Sequence, residues 1–163
     1  MYLLDGPILL ELREARRPDG HAALAAWAER VPAQQMFLSA ATLLELENTA
    51  AAAARRAKDA GAVWREWLDG QVLPAFEDRI VPVDAAVIRR RAQIPYADDR
   101  DGILAATALV HNLALVTGEP RKYRAGRVRV LDPAGFEPDG ADDGDWREAT
   151  RSGATWLRNL LIR

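Results

Sequence analysis

The 163-residue sequence contains no cysteine and only two histidines, His21 and His111. Disulfides, thiolate nucleophiles and thiolate zinc sites are thereby excluded, and neither histidine has a partner at zinc-ligand spacing. The two read instead as a surface residue and a helix-end residue. Any bound metal must be one that accepts oxygen ligands. No apolar run approaches the roughly 20 residues that a membrane-spanning helix needs. The start Met1-Tyr-Leu-Leu-Asp5 also lacks the basic segment that opens a secretory signal. A cytoplasmic protein with no membrane partner is the expectation. The formal net charge is only -2, so no overall field draws a polyanion, and contact with nucleic acid must come from local basic clusters. Neither a glycine-rich phosphate loop nor a nucleophilic-aspartate motif is present, which leaves an acid-rimmed phosphohydrolase of small molecules without its usual signature.

What remains is an α/β pattern of one-domain size, with 49% hydrophobic residues. Tyr2 to Leu4 is a short apolar run closed by Asp5. Gly6-Pro7 then opens a helical pattern in Ile8, Leu9, Leu12 and Ala15, because proline is tolerated where its missing N–H has no intrahelical partner. The spacing predicts a helix over 21–30, a strand over 36–38, and a long helix over 41–58 continued after Gly61 by Trp64, Trp67 and Leu68. Residues 79–83 alternate like a strand, and Asp84 caps a helix to about Ala92. Asp101 opens the most apolar helix, over 102–111. Residues 113–117 and 128–131 are the last strands, the first apolar enough for burial on both faces. Alternating strands and helices predict a parallel sheet flanked by helices. Residues 134–144, rich in proline, glycine and aspartate, read as a linker. Beyond it Asp145 and Glu148 have capping-box spacing ahead of an amphipathic helix over 145–163.

Four acids stand just beyond strand-like or helix-opening segments: Asp5, Glu45, Asp101 and Glu119. Each has a local explanation. Asp5 suits a turn or N-cap, Glu45 could complete a capping box with Thr42, Asp101 suits a helix N-terminus, and Glu119 suits a turn. These explanations leave open why each turn carries an acid facing one rim, the carboxyl end of the strands, where parallel sheets place their ligands. Carboxylates brought close together raise one another's pKa and call for a counter-cation. Mg²⁺ or Mn²⁺ suits a few carboxylates, retained waters and substrate phosphate oxygens.

The segments Met1-Tyr-Leu-Leu-Asp5, Phe37-Leu-Ser-Ala-Ala-Thr-Leu-Leu-Glu45-Leu, Asp101-Gly-Ile-Leu-Ala-Ala-Thr-Ala-Leu, Leu115-Val-Thr117 and Val128-Arg-Val-Leu-Asp-Pro133 resemble, in order, a PIN-domain ribonuclease of the kind found as the toxin in VapBC-type toxin–antitoxin pairs. The resemblance implies a three-layer α/β/α domain over 1–133 and Mg²⁺- or Mn²⁺-dependent endonucleolytic hydrolysis of RNA. It further implies a homodimer and an antitoxin that blocks the acid pocket. By position Asp5, Glu45 and Asp101 match the family's first three acids, and Glu119 falls where Asp is usual. Asp5, Asp101 and Glu119 are then the metal ligands, and Glu45 completes the pocket. Gly6 and Pro7 replace the family's usual Thr and Asn, which removes side-chain support for the first acid. Lys122 stands where many relatives have another acid, and is placed to pair with Glu119 or bind phosphate.

Two basic clusters offer an approach for RNA: Arg13, Arg16 and Arg17, and the group Arg121, Lys122, Arg124, Arg127 and Arg129 beside Glu119, of which Arg121, Lys122 and Arg124 are the candidate substrate contacts. Trp27, Trp64 and Trp67 fall on apolar helix faces and read as core or interface. Gly6, Pro7 and Lys122 favour the competing reading, a catalytically weakened PIN-like module retained for protein or RNA binding. The surviving carboxylates oppose it, because a buried acid cluster without a cation is costly.

Overall fold

The computed structural model describes residues 1–14 and 22–136. Five strands, β1 (Tyr2–Leu4), β2 (Met36–Ser39), β3 (Ile80–Val81), β4 (Ala114–Val116) and β5 (Val130–Leu131), form one sheet in the order β3-β2-β1-β4-β5. All four neighbouring pairs are parallel, with Leu3 opposite Phe37 on one side and Leu115 on the other. The chain starts at the centre, moves outward through β2 and β3, then returns to the far side of β1 for β4 and β5. The reversal between β1 and β4 opens a crevice at the carboxyl ends of those strands, the usual ligand position in open α/β sheets.

Among the described residues seven helices cover the sheet: α1 (Gly6–Glu14), α2 (Ala22–Arg30), α3 (Ala40–Arg56), α4 (Lys58–Trp67), α5 (Leu73–Ala75), α6 (Ala85–Arg91) and α7 (Asp99–Val110). Successive strand residues point to opposite faces, and the sequence uses this to build two cores. Leu4, Met36, Leu38 and Val116 join Ile8, Leu9, Leu12, Leu24, Trp27, Leu46, Trp67 and Phe76 on one face. Leu3 and Leu115 join Val87, Leu104, Ala105, Ala108 and Tyr123 on the other. The arrangement is the expected three-layer α/β/α.

Several elements differ from the sequence expectations in detail. The long helix breaks at Ala57, whose backbone is extended, and Gly61 lies inside α4. A Cβ on Gly61 would stand 2.4 Å from Ala54 Cβ and 2.5 Å from Ala54 Cα, so this glycine serves the close approach of α4 to α3. A π-helical turn over Leu68–Val72 follows α4. The third strand shrinks to two residues ahead of Pro82, which has no N–H to give a ladder. Asp84 caps α6 as expected, accepting from Val87 N at 3.0 Å. The cap of α3 is Ser39, whose Oγ accepts from Ala41 N at 3.2 Å, so Glu45 takes no part in a capping box. The apolar helix starts two residues before Asp101, with Asp98 as its cap. The compact structure continues through a 3₁₀ turn, Pro133–Gly135, to Phe136, which packs on the first core. From residue 137 the expected linker and tail helix lie outside the described residues. Among the described residues no helix is long and apolar enough to cross a membrane.

Candidate functional site

Asp5 sits at the crevice because it directly follows β1. Its N–H donates to Val116 O of β4 at 3.1 Å, and its carbonyl accepts from Leu9 N in the first turn of α1. The carboxylate is buried, with the residue 2% exposed. Its Oδ1 accepts from the Gly6 N–H at 2.8 Å and its Oδ2 from the Thr117 hydroxyl at 2.9 Å. Support for the first acid therefore comes from a backbone amide and from the residue after β4, not from the side chains at positions 6 and 7. A Cβ on Gly6 would stand 3.0 Å from Glu45 Oε2, so the bare backbone there leaves room for the second acid.

Glu45 reaches the same point from the second turn of α3, and Asp101 from the first turn of α7. Asp98 fixes that turn by accepting from Asp101 N at 3.0 Å. Asp99 points away, largely exposed, and pairs with Arg91 at 2.9 Å. Arg91 also donates to Ile94 O at 3.3 Å and Tyr96 O at 2.9 Å, tying down the loop that delivers α7.

The side chain that joins the three acids is Arg100. Its Nη2 donates to Asp5 Oδ1, its Nε to Glu45 Oε1, and its Nη1 to Asp101 Oδ1 at 2.8 Å. Each nitrogen of the fork takes a different carboxylate, a division that the rigid guanidinium permits and a lysine ammonium does not. Burial acts to lower the guanidinium pKa, but the hydrogen bonds and charges of Glu45 and Asp5 outweigh it and the net shift is upward. Tyr123, fully buried, donates from its hydroxyl to the same Asp101 Oδ1 at 3.2 Å. Burial, then the charges of Asp5 and Asp101, push the Tyr123 phenol well above its ordinary value. The Tyr96 hydroxyl in turn donates to Tyr123 O at 2.9 Å and accepts from Gly126 N at 3.2 Å.

Glu119 does not join this cluster directly. Its N–H donates to Thr117 Oγ1 at 3.2 Å, which links it to Asp5 through two hydrogen bonds by way of Thr117, but its carboxylate is largely exposed and pairs with Lys122 at 2.5 Å. That pairing, and Glu119's charge, raise the Lys122 pKa. Arg121 and Arg124 are exposed beside it on the 3₁₀ segment Pro120–Gly126. Arg129 is bound elsewhere, donating to Asn112 O and Oδ1 at 2.8 and 2.9 Å. Arg13, placed by the sequence in a basic cluster, has its guanidinium over the Trp64 and Trp67 rings at 4.5 and 4.8 Å. Arg16, Arg17 and His21 lie outside the described residues. Trp67 and Trp27 are core residues, and His111 is the C-cap of α7.

The donor chemistry at the crevice suits a hard divalent cation, since three carboxylates from three elements converge on one positively charged group. Among the described residues no three acids or histidines stand arranged as a ready metal cage. The point of convergence is filled by Arg100. The sequence reading overlooked Arg100, Thr117 and Tyr123 as members of the site. Arg100 carried a signal, as a basic residue adjoining Asp101 with no helix C-terminus nearby to favour it, and Thr117 closes the segment Leu115-Val-Thr117 that carries part of the resemblance.

The chain matches the family model described as PIN domain over residues 2–128. It is 30% identical over 146 residues to "VapC ribonuclease Y4jK" of Sinorhizobium fredii, covering 85% of this chain and 99% of that one. It is 33% identical over 141 residues to "Toxin FitB" of Neisseria gonorrhoeae, covering 82% and 98%. Among solved structures, the crystal structure of FitAcB from Neisseria gonorrhoeae superposes with a TM-score of 0.72 at 30% identity, covering 83% of this chain and 99% of that one. With its central parallel sheet and acids at the β1–β4 crevice, the chain belongs to the PIN domain family and is similar to VapC and FitB toxins.

Proposed function

We propose that this PIN domain protein is a divalent-cation-dependent endoribonuclease that serves as the toxin of a toxin–antitoxin pair, with RNA as substrate and a cognate antitoxin as partner. The observation that carries the reading is the convergence of Asp5, Glu45 and Asp101 from β1, α3 and α7 at the carboxyl edge of the sheet. The likeness to proteins named VapC ribonuclease and Toxin FitB supports the choice of substrate and role.

In this reading Asp5 and Asp101 hold an Mg²⁺ or Mn²⁺ ion, with Glu119 as a third acid from the rim. When bound, the ion supplies the acidity that activates water and offsets charge on the phosphodiester oxygens. Thr117 and the Gly6 amide keep Asp5 oriented, and Tyr123 does the same for Asp101. Such hydrogen-bonded supports typically matter by about 10- to 100-fold in metal affinity or activity. Glu45, with a side chain 32% exposed, is the acid placed to orient the attacking water. Arg121 and Arg124 offer charge to flanking phosphates. Neither a cysteine nor a histidine is needed, because water is the nucleophile.

The test pairs Mn²⁺ calorimetry on wild type and Asp101→Asn with an Mg²⁺-dependent cleavage assay on a pool of structured RNA. Binding and cleavage lost together in the mutant are the expected result. Wild type that takes up no metal at millimolar concentration and cuts nothing would sink the enzymatic reading. The Arg100 and Lys122 pairings favour one alternative, a PIN module weakened in cleavage and kept for binding a protein or RNA. It predicts RNA binding without metal-dependent cutting.

A further inference from the structure

Arg100 sits where the acid pocket needs a cation, and this position separates it from every other basic residue described. Its three nitrogens satisfy three carboxylates delivered by three different elements. Three carboxylates against one guanidinium leave a formal excess of two negative charges, so the pocket remains attractive to a divalent ion with Arg100 in place. The supports of the acids are divided in a way that matters here. Asp5 keeps Gly6 N and Thr117, and Asp101 keeps Tyr123, whether or not Arg100 is present. Removing the guanidinium therefore leaves two carboxylates oriented, and frees the Glu45 carboxylate that Arg100 Nε holds. The Arg100 side chain is 31% exposed, and its backbone lies in the first turn of α7, so the head can swing to solvent without moving the helix.

We propose that Arg100 is a resident counter-cation and an intramolecular competitor of the divalent ion, so that metal loading and departure of its guanidinium from the pocket are one event. The proposal rests on the metal-dependent reading above and adds to it a switch between two cations at one place. Its consequence is reciprocal: whatever Arg100 contributes to holding the acids together is subtracted from metal affinity.

The experiment compares Mn²⁺ binding by calorimetry in full-length wild type, Arg100→Gln and Arg100→Lys, with thermal melts in the presence and absence of Mn²⁺. Competition predicts that Arg100→Gln binds Mn²⁺ tighter by about tenfold or more, within the usual range for coupled sites. It also predicts that this variant melts lower than wild type without metal and gains more from Mn²⁺. Arg100→Lys, which keeps the charge but loses the fork, should fall between. In case Arg100→Gln does not fold, wild type supplies a second readout: the ¹⁵N resonance of the Arg100 Nε–H should move on Mg²⁺ addition in step with calorimetric saturation. Equal Mn²⁺ affinity in wild type and Arg100→Gln, or an Nε–H resonance that stays fixed while Mg²⁺ binds, overturns the competition and leaves the metal reading standing. Failure of all three proteins to bind Mn²⁺ overturns the metal reading and the competition with it.

Discussion

At the scale of single residues, one group that holds the site, Tyr123, has its charge state set chiefly by burial. Its phenol is buried beside Asp5 and Asp101, and both circumstances raise its pKa above the ordinary 10.0. In the folded protein it stays neutral at a pH where the unfolded chain has begun to ionise. The unfolded state therefore loses its proton first, and the contribution to stability, complete below pH 10.0, is lost as pH rises above it. The slope for one such group is about 1.4 kcal/mol per pH unit. Urea titrations of wild type and Tyr123→Phe between pH 8 and 11, as an approximate working range, should show a shallower alkaline loss in the variant. Parallel curves would mean that Tyr123 is not the group that matters. That Asp5, Glu45 and Asp101 meet was legible in the sequence because each closes or opens an apolar segment, whereas Glu119, placed by the same reasoning, stands off the cluster and pairs with Lys122. Arg100, adjoining Asp101, was not read as part of the site, because a basic residue in a first helical turn looks like solvent-facing charge until the fold delivers Asp5 and Glu45 to it.

At the scale of elements, two devices decide how the helices meet the sheet. Gly61 brings α4 against Ala54 of α3. In an isolated helix, Gly61→Ala would gain about 1 kcal/mol from propensity. Here the added methyl meets backbone as well as a side chain, and overpacking of about 1–3 kcal/mol is expected to win. Urea denaturation should show Gly61→Ala less stable than wild type, and a more stable variant would refute the close approach. The second device is Arg79. Its guanidinium donates to the carbonyls of Ala33, Met36 (3.1 Å) and Ala75, and lies 5.2 Å from the centre of the Phe76 ring, joining the entry of β2 to the end of α5. Burial lowers its pKa. Helix periodicity revealed that α3 and α4 exist, and glycine was the reasonable place for their break. The break falls at Ala57 instead because Gly61 is consumed by packing, a demand that no local rule encodes.

At the scale of the whole molecule, the proposed RNA substrate would meet a nearly neutral protein through the basic cluster near the acid rim. Arg121 and Arg124 are exposed there, while Lys122 is already paired with Glu119. If both arginines contact phosphates of a single strand, neutralising them as Arg121→Gln/Arg124→Gln should reduce the slope of log K against log salt by about 1.4, at about 0.7 per contact. Fluorescence anisotropy with a short RNA measures this, and an unchanged slope would move the RNA path elsewhere. Side-chain order alone fixes the layer architecture, because the two-residue alternation of strands and the turn-by-turn repeat of helices are local properties. It also marks acids at segment ends, because turn position and residue type are local too. The partners of those acids follow from the fold. The pairing of β1 with both β2 and β4 sets Thr117 on Asp5, and the packing of α3 and α7 across the crevice gives Glu45 and Asp101 a shared cation, 55 residues along the chain from Glu45 but adjacent to Asp101. Contacts between residues so far apart depend on the order in which strands assemble, and that order is written in the packing of two cores and not in any single segment.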